Sequence, residues 1–522
     1  MSLSWIFRHR GQQVLAGVVG LGLALAQPGR AAERVYVNYS VFEQSISVES
    51  LENYARTGEI TDELKNYSRF LTPEQLEQLR EGLLVSADID VVTVSQFLYT
   101  PQGEAMLDWL GEVVQTAGRQ NGARALRGAV IQAAADPDGG LNALNVLKYF
   151  PTRGVRLDLR EGLGIAQSAI AQINQTRSVT AQIQAQAAET ENPIGPLPSL
   201  TAPGNTAWQK RVYDSLALPT DLYLPEGQQL PLVVLSHGLG GNRETLAYLA
   251  EHLASYGFAI AVVEHPGSSA AQLDALLSGQ ADEAVEPEEM VQRPTSIQTL
   301  LDQLSAEGDL GQIDFQNVGV LGQSFGGYTS LALAGATVDA DSLAQSCPPQ
   351  IVQLNLSLLL QCLVTDLPQP LPALGDERVK AAIAINPLNS TVFGPTGMAD
   401  ISVPLMMISG SDDTVTPALA EQIRPFTWLT TPERYLLLLE NGTHFSAIYN
   451  PEASEAVALP PEIIGPRPDL AQRYVKAMSV AFFKLHLSSE SQYSPYLTST
   501  YANTLSQSAL PLALVDNFEI EE

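Results

Sequence analysis

Positive charge is scarce in this chain. Lys and Arg number 28 against 57 Asp and Glu, which leaves a net charge of −29 over 522 residues. Phosphate binding needs a basic stripe, and none is visible, so nucleic acid is excluded as a partner. Simple electrostatic docking on anionic lipid is disfavoured for the same reason, and the surface reads as solvated and self-repelling. Cysteine is scarcer: there are two, Cys347 and Cys362, without the ligand spacing of a zinc site. No metal or cofactor is expected. Long hydrophobic runs are also missing, so no segment after the N-terminus is expected to span a membrane. Charged residues make up only 16% and hydrophobic residues 45%, which is ample for a sizeable core and unlike a disordered chain.

What is present begins with a secretory pattern. Arg8 and Arg10 precede the apolar stretch 14–26, which is short for a bilayer span, and small-residue cleavage options follow at 24–26 and 29–31. Residues 1–32 therefore read as a signal peptide, with an uncleaved anchor as the alternative, and the protein is expected to be periplasmic or secreted. In an oxidising compartment Cys347 and Cys362 are predicted to pair.

Residues 33–188 read as a mainly helical domain that opens on a short strand pair at 34–48. Thr72-Pro73 and Thr100-Pro101 mark helix starts, with Gln75 placed for a capping box. The stretch 189–206 is rich in Pro, Thr, Gly and Asn and reads as a linker. From 207 to 488 short apolar runs (232–235, 259–263, 318–321, 381–385, 405–408, 435–439) alternate with helical patterns. That rhythm predicts an α/β domain: a mostly parallel sheet with helices on both faces. Residues 213–224 add antiparallel edge strands. The acidic stretch 267–293 reads as a loop. The segment 335–372 is an insertion, either a lid or a packed decoration, and 489–522 is a C-terminal extension.

The chemistry concentrates at the ends of those apolar runs. Gly322-Gln323-Ser324-Phe325-Gly326-Gly327 follows 318–321 and reads as a nucleophile elbow, a tight strand-to-helix turn that exposes Ser324. A serine needs a base, a group that orients the base, and donors for the developing oxyanion. Of the six histidines His444 and His486 follow the run 435–439; His486 lies late in the terminal helical pattern, and His444 comes directly after the run, where a Ser…Asp…His order puts the base. Asp413 follows 405–408 in a Gly-X-X-Asp turn and is selected as the acid, with the adjacent Asp412 as the alternative. The amides of Phe325 and Leu239 are the expected oxyanion donors, Leu239 lying in Ser236-His237-Gly238-Leu239-Gly240. His237 is expected to brace that loop.

These motifs, with Leu253-Ala254-Ser255-Tyr256-Gly257-Phe258 and Glu264-His265-Pro266-Gly267, resemble the α/β-hydrolase family, and within it the platelet-activating-factor acetylhydrolases. The chain differs in carrying Gln323 where those enzymes have His. The likeness covers roughly residues 205–488, while the N-terminal part is similar to a domain of unknown function on bacterial exported α/β hydrolases. It implies a serine esterase acting on small-molecule or lipid esters, with membrane contact only through the lid or an uncleaved signal. A dienelactone-type small-ester hydrolase is the alternative within the fold. A non-catalytic binding protein is the alternative outside it.

Overall fold

The apolar runs assemble as one sheet. The computed structural model describes residues 31–39, 42–68, 71–87, 89–189, 195, 197–347, 355–448 and 461–520. The expected signal peptide lies almost wholly outside them. Two compact units are present: the described residues up to Ala166 together with Leu277–Gly279, and Gln167–Leu276 with Gln280 onward.

In the first unit β1 (Arg34–Tyr39) and β2 (Phe42–Ser47) form the expected antiparallel pair. A two-stranded ladder pairs β3 (Ser86–Ala87) with β5 (Leu141–Asn142). The region carries more sheet than its helical pattern predicts. β4 (Val114–Thr116) and β6 (Gly154–Asp158) extend the first pair to the order β2-β1-β6-β4. Both are short and only partly apolar, so their alternation is too brief to stand out beside the helices. The helices start as their caps require. Thr72 and Gln75 exchange both bonds of a capping box, and Thr100 accepts from Gly103 N–H at 3.0 Å. The long helix Leu159–Glu189 begins in the first unit and continues into the second. The division thus falls inside that helix, upstream of the 189–206 stretch.

The second unit is built on nine strands. They are β7 (Trp208–Tyr213), β8 (Thr220–Pro225), β9 (Leu230–Ser236), β10 (Ala259–Val263), β11 (Ile313–Gln323), β12 (Val379–Ile385), β13 (Leu405–Gly410), β14 (Arg434–Leu439) and β15 (Leu512–Val515). Their order is β15-β14-β13-β12-β11-β9-β10-β8-β7. The strands from β14 to β10 in that order run parallel, and antiparallel partners close both edges. Alternate residues of each strand enter opposite cores. Leu232 and Val234 pack on one face and Val233 and Leu235 on the other, all fully buried or nearly so. Burial on both faces is why these strands read as unbroken apolar runs.

Two expectations change here. The stretch 267–293 is not a simple loop: it holds the helix Ala270–Leu277 and the start of the helix Glu289–Ala306. Nor is 489–522 a mere appendage, because β15 pairs with β14 and completes the sheet. The apolar edge of β14 would otherwise lie unpaired.

From β9 the chain crosses to β10 on one side, then returns to place β11 on the other side of β9. Loops leaving the carboxyl ends of β9 and β11 therefore diverge and leave a crevice between them.

The disulfide between Cys347 and Cys362 is formed, with Cα atoms 5.6 Å apart. Beside it the insertion is tied down by a buried carboxylate. Glu421 accepts from Gln361 Nε2 at 3.0 Å, from the Asn389 and Ser390 amides at 2.8 and 2.9 Å, and from Asn355 and Ser390 side chains at 2.5 Å each. The described part of 335–372 is in this respect packed onto the domain. No helix among the described residues is long and apolar enough to cross a membrane.

Candidate active site

Ser324 sits between β11 and the helix Phe325–Leu333 with φ 56° and ψ −117°. A non-glycine residue held there is strained, and it persists only where its surroundings enforce it. The enforcement is steric. A Cβ on Gly326 would lie 1.9 Å from the Ser236 carbonyl oxygen, and one on Gly322 would lie 2.1 Å from the Gly326 oxygen. Strand, helix and the loop after β9 meet with no room for a side chain. That loop also passes against the serine itself, since a Cβ on Gly238 would lie 3.1 Å from Ser324 Cβ.

His444 follows β14 and Asp413 follows β13, on neighbouring parallel strands. Their side chains are hydrogen-bonded, Nδ1 to Oδ2, at 2.7 Å. Asp413 is buried and fully engaged. Its Oδ1 accepts from the Val415 and Thr416 amides at 2.8 and 2.7 Å, and its Oδ2 also accepts from the Thr416 hydroxyl at 2.8 Å. Asp412, the alternative, is exposed, and its carboxylate accepts instead from the Ser411 hydroxyl.

The two proposed oxyanion amides are oriented by what lies behind them. In a trans peptide the carbonyl and the next N–H point to opposite sides. The Gly238 carbonyl accepts from His237 Nδ1 at 2.6 Å, which turns the Leu239 N–H the other way. The Ser324 carbonyl accepts from the Tyr328 amide at 3.0 Å, which does the same for Phe325. Among the described residues neither N–H donates to a protein acceptor. The His237 tautomer follows from its partners. Nε2 accepts from the His265 amide at 3.0 Å, so Nδ1 carries the proton.

Three histidines here and nearby are buried neutral. Burial, then the Arg293 charge, pulls His237 down to about 3; burial pulls His252 to about 4; and His265 lies well below the ordinary 6.5 for the same reasons as His237. Their folded values lie below the unfolded value, so the unfolded chain binds protons that the folded chain refuses. This contribution to stability is complete above pH 6.5 and is lost as the pH falls from there toward 4 and then 3. Urea midpoints should be lower at about pH 5 than at about pH 7.5. Equal midpoints, or a higher one at the lower pH, would contradict this.

Some participants were not foreseen. Gln323, whose position suggested only a flank to the serine, donates from Nε2 to the His444 carbonyl at 3.1 Å. Asn386, at the end of β12 with φ 43°, accepts from the Gly410 amide at 2.9 Å and donates weakly toward the His444 carbonyl at 3.4 Å. These bonds run between strand ends and loops distant in sequence, and no local pattern signals them. No group of His, Cys, Asp and Glu among the described residues is arranged to hold a metal ion.

Sheet order, the strained serine turn and the His–Asp pair define an α/β hydrolase, and comparison with known proteins agrees. Residues 31–158 match the family described as alpha/beta hydrolase of unknown function (DUF1400). Residues 207–305 match platelet-activating factor acetylhydrolase, isoform II. These two stretches together cover less than half of the chain, and they support the α/β-hydrolase fold. Relatives include the platelet-activating factor acetylhydrolase of Cavia porcellus, 41% identical over 64 residues, 12% of this chain and 15% of that one. Cutinase 2 of Thermobifida cellulosilytica is 21% identical over 285 residues, 53% of this chain and 76% of its own length. Cutinase cut1 of Thermobifida fusca is 22% identical over 285 residues, 53% of this chain and 62% of its own. The chain thus spans a small part of the first of these and more than half of each cutinase.

Proposed function

We propose that this protein hydrolyses carboxylic esters through an acyl-enzyme on Ser324. The observation that carries the reading is the buried 2.7 Å bond between His444 Nδ1 and Asp413 Oδ2, in loops at the carboxyl ends of the parallel strands, as is the strained serine. Asp413 holds the imidazole with its proton on Nδ1, which leaves Nε2 free as a base. His444 takes the Ser324 hydroxyl proton as Oγ attacks the ester carbon. The oxyanion is held by the Leu239 and Phe325 amides. The tetrahedral intermediate collapses, the C–O bond to the leaving alcohol breaks, and His444 returns the proton to that alcohol. Water, deprotonated by the same imidazole, then attacks the acyl-enzyme and releases the carboxylic acid and Ser324.

All of these residues lie in the second unit. The substrate class is an ester with an acetyl or lipid-like acyl part, drawing on the likeness to acetylhydrolases and cutinases. The disulfide supports export to an oxidising compartment. Rates on p-nitrophenyl esters of rising acyl length test the substrate reading. A maximum at short chains is expected for an acetyl-ester or small-ester enzyme, and a maximum at long chains for a lipase-like one. No hydrolysis at any length would favour a binding protein on this fold.

A further inference from the structure

Arg293 is a completely buried cation that the acyl chemistry does not use. It lies on the helix Glu289–Ala306. Its Nε donates to the Ser268 hydroxyl at 3.0 Å, and the Glu289 carboxylate stands 3.7 Å away. Ser268 in turn donates to Glu289 at 2.6 Å, closing the cluster. Burial pulls the guanidinium down to about 9 against the opposing effect of Glu289, and it stays protonated at neutral pH. Of its remaining contacts, those to the Thr329 hydroxyl and to His237 Nδ1 are long, at 3.5 Å each, and the other two fall on the two halves of the oxyanion site. Nη2 donates to the His237 carbonyl at 2.9 Å, in the loop that carries Leu239. Its Cζ lies over the ring of Phe325, the residue with the other amide, 4.2 Å from the ring centroid. The same helix is tied to the nucleophile helix a second time. Pro294 has no N–H to offer the Met290 carbonyl, and the Tyr328 hydroxyl donates to that carbonyl at 2.8 Å.

We infer that Arg293 is a positioning residue that fixes the spacing of the Leu239 and Phe325 amides, so that both reach one oxyanion. This rests on the esterase reading above. Arginine suits the task because one rigid plane can donate at its edge while stacking on its face. A lysine ammonium cannot do both. A displacement of about 1 Å at a reacting group can lower a rate about a hundredfold.

The test uses the full chain, with wild type and Ser324→Ala assayed first on the best p-nitrophenyl ester. Two variants follow: Arg293→Lys, which keeps the charge beside Glu289, and the double variant Glu289→Gln with Arg293→Met, which leaves no carboxylate unpaired. Each is expected to lower kcat roughly ten- to a hundredfold with KM little changed. Inhibition by an alkyl boronic acid, whose tetrahedral serine adduct places an oxygen in the oxyanion site, should weaken by the same factor. The acid limb of the kcat/KM pH profile should not move, because the His444–Asp413 pair is untouched. Wild-type kcat and boronate affinity in either folded variant would overturn the inference, as would a rise in KM alone. Should neither variant fold, Phe325→Leu removes the stacked ring with every charge still paired. The same kcat and boronate signature is expected of it, and its absence is equally decisive. An inactive wild type would sink the esterase reading itself, whereas an active wild type with unaffected variants sinks only the role of Arg293.

Discussion

Ser324→Ala should lower kcat on p-nitrophenyl esters by about 10⁶. The size of the loss follows from how the serine is held. A residue at φ 56°, ψ −117° is strained, and the packing that enforces it allows no Cβ at Gly322 or Gly326. Such a turn aims Oγ out of the sheet, and alanine occupies the same backbone without it. Because alanine is smaller and the backbone unchanged, the variant should fold with an unaltered melting temperature. A residual rate above water is expected from the oxyanion amides and substrate binding alone. A variant retaining more than about a hundredth of the wild-type kcat would assign the nucleophile elsewhere.

Asp413→Asn should cost about 10⁴ in kcat, while Asp412→Asn should change it little. The two residues are neighbours, and a single turn separates their fates. Asp413 turns inward and accepts four hydrogen bonds, of which the His444 bond is one. Asp412 turns outward to the Ser411 hydroxyl. An Asn amide at 413 can present its NH₂ to Nδ1, which favours the imidazole tautomer with its proton on Nε2, the wrong one for a base. Its oxygen can still take the Val415 and Thr416 amides, so the loop should keep its shape. The loss therefore belongs in kcat rather than in stability. Equal losses at both positions would point to charge near the site rather than to orientation of His444.

Much of this was legible in the chain because the strands are buried on both faces. Runs such as Leu232–Leu235 cannot be confused with half-exposed helix, and each candidate residue follows such a run directly. The Thr72 and Thr100 caps were equally plain, since their bonds are local. Harder to see was whatever depends on distant partners. β15 is four apolar residues with no pattern of their own, and it becomes a strand because β14 offers an edge. Glu421 and Arg293 look like surface charges in sequence. Their burial is made possible by donors and acceptors more than twenty residues away, such as Asn389 for Glu421 and Ser268 for Arg293. Gln323 could be seen as a departure from the relatives' histidine, but its bond to the His444 carbonyl requires the folded loop.

Covalent labelling reads directly whether Ser324 is the nucleophile. Wild type and Ser324→Ala would be treated with a fluorophosphonate, which phosphonylates an activated serine, and digested for peptide mass mapping. The prediction is a single stoichiometric adduct on the peptide containing Ser324 in the wild type, none in Ser324→Ala, and its abolition in step with ester hydrolysis. An adduct on another serine, or full ester hydrolysis with Ser324 unmodified, would contradict it.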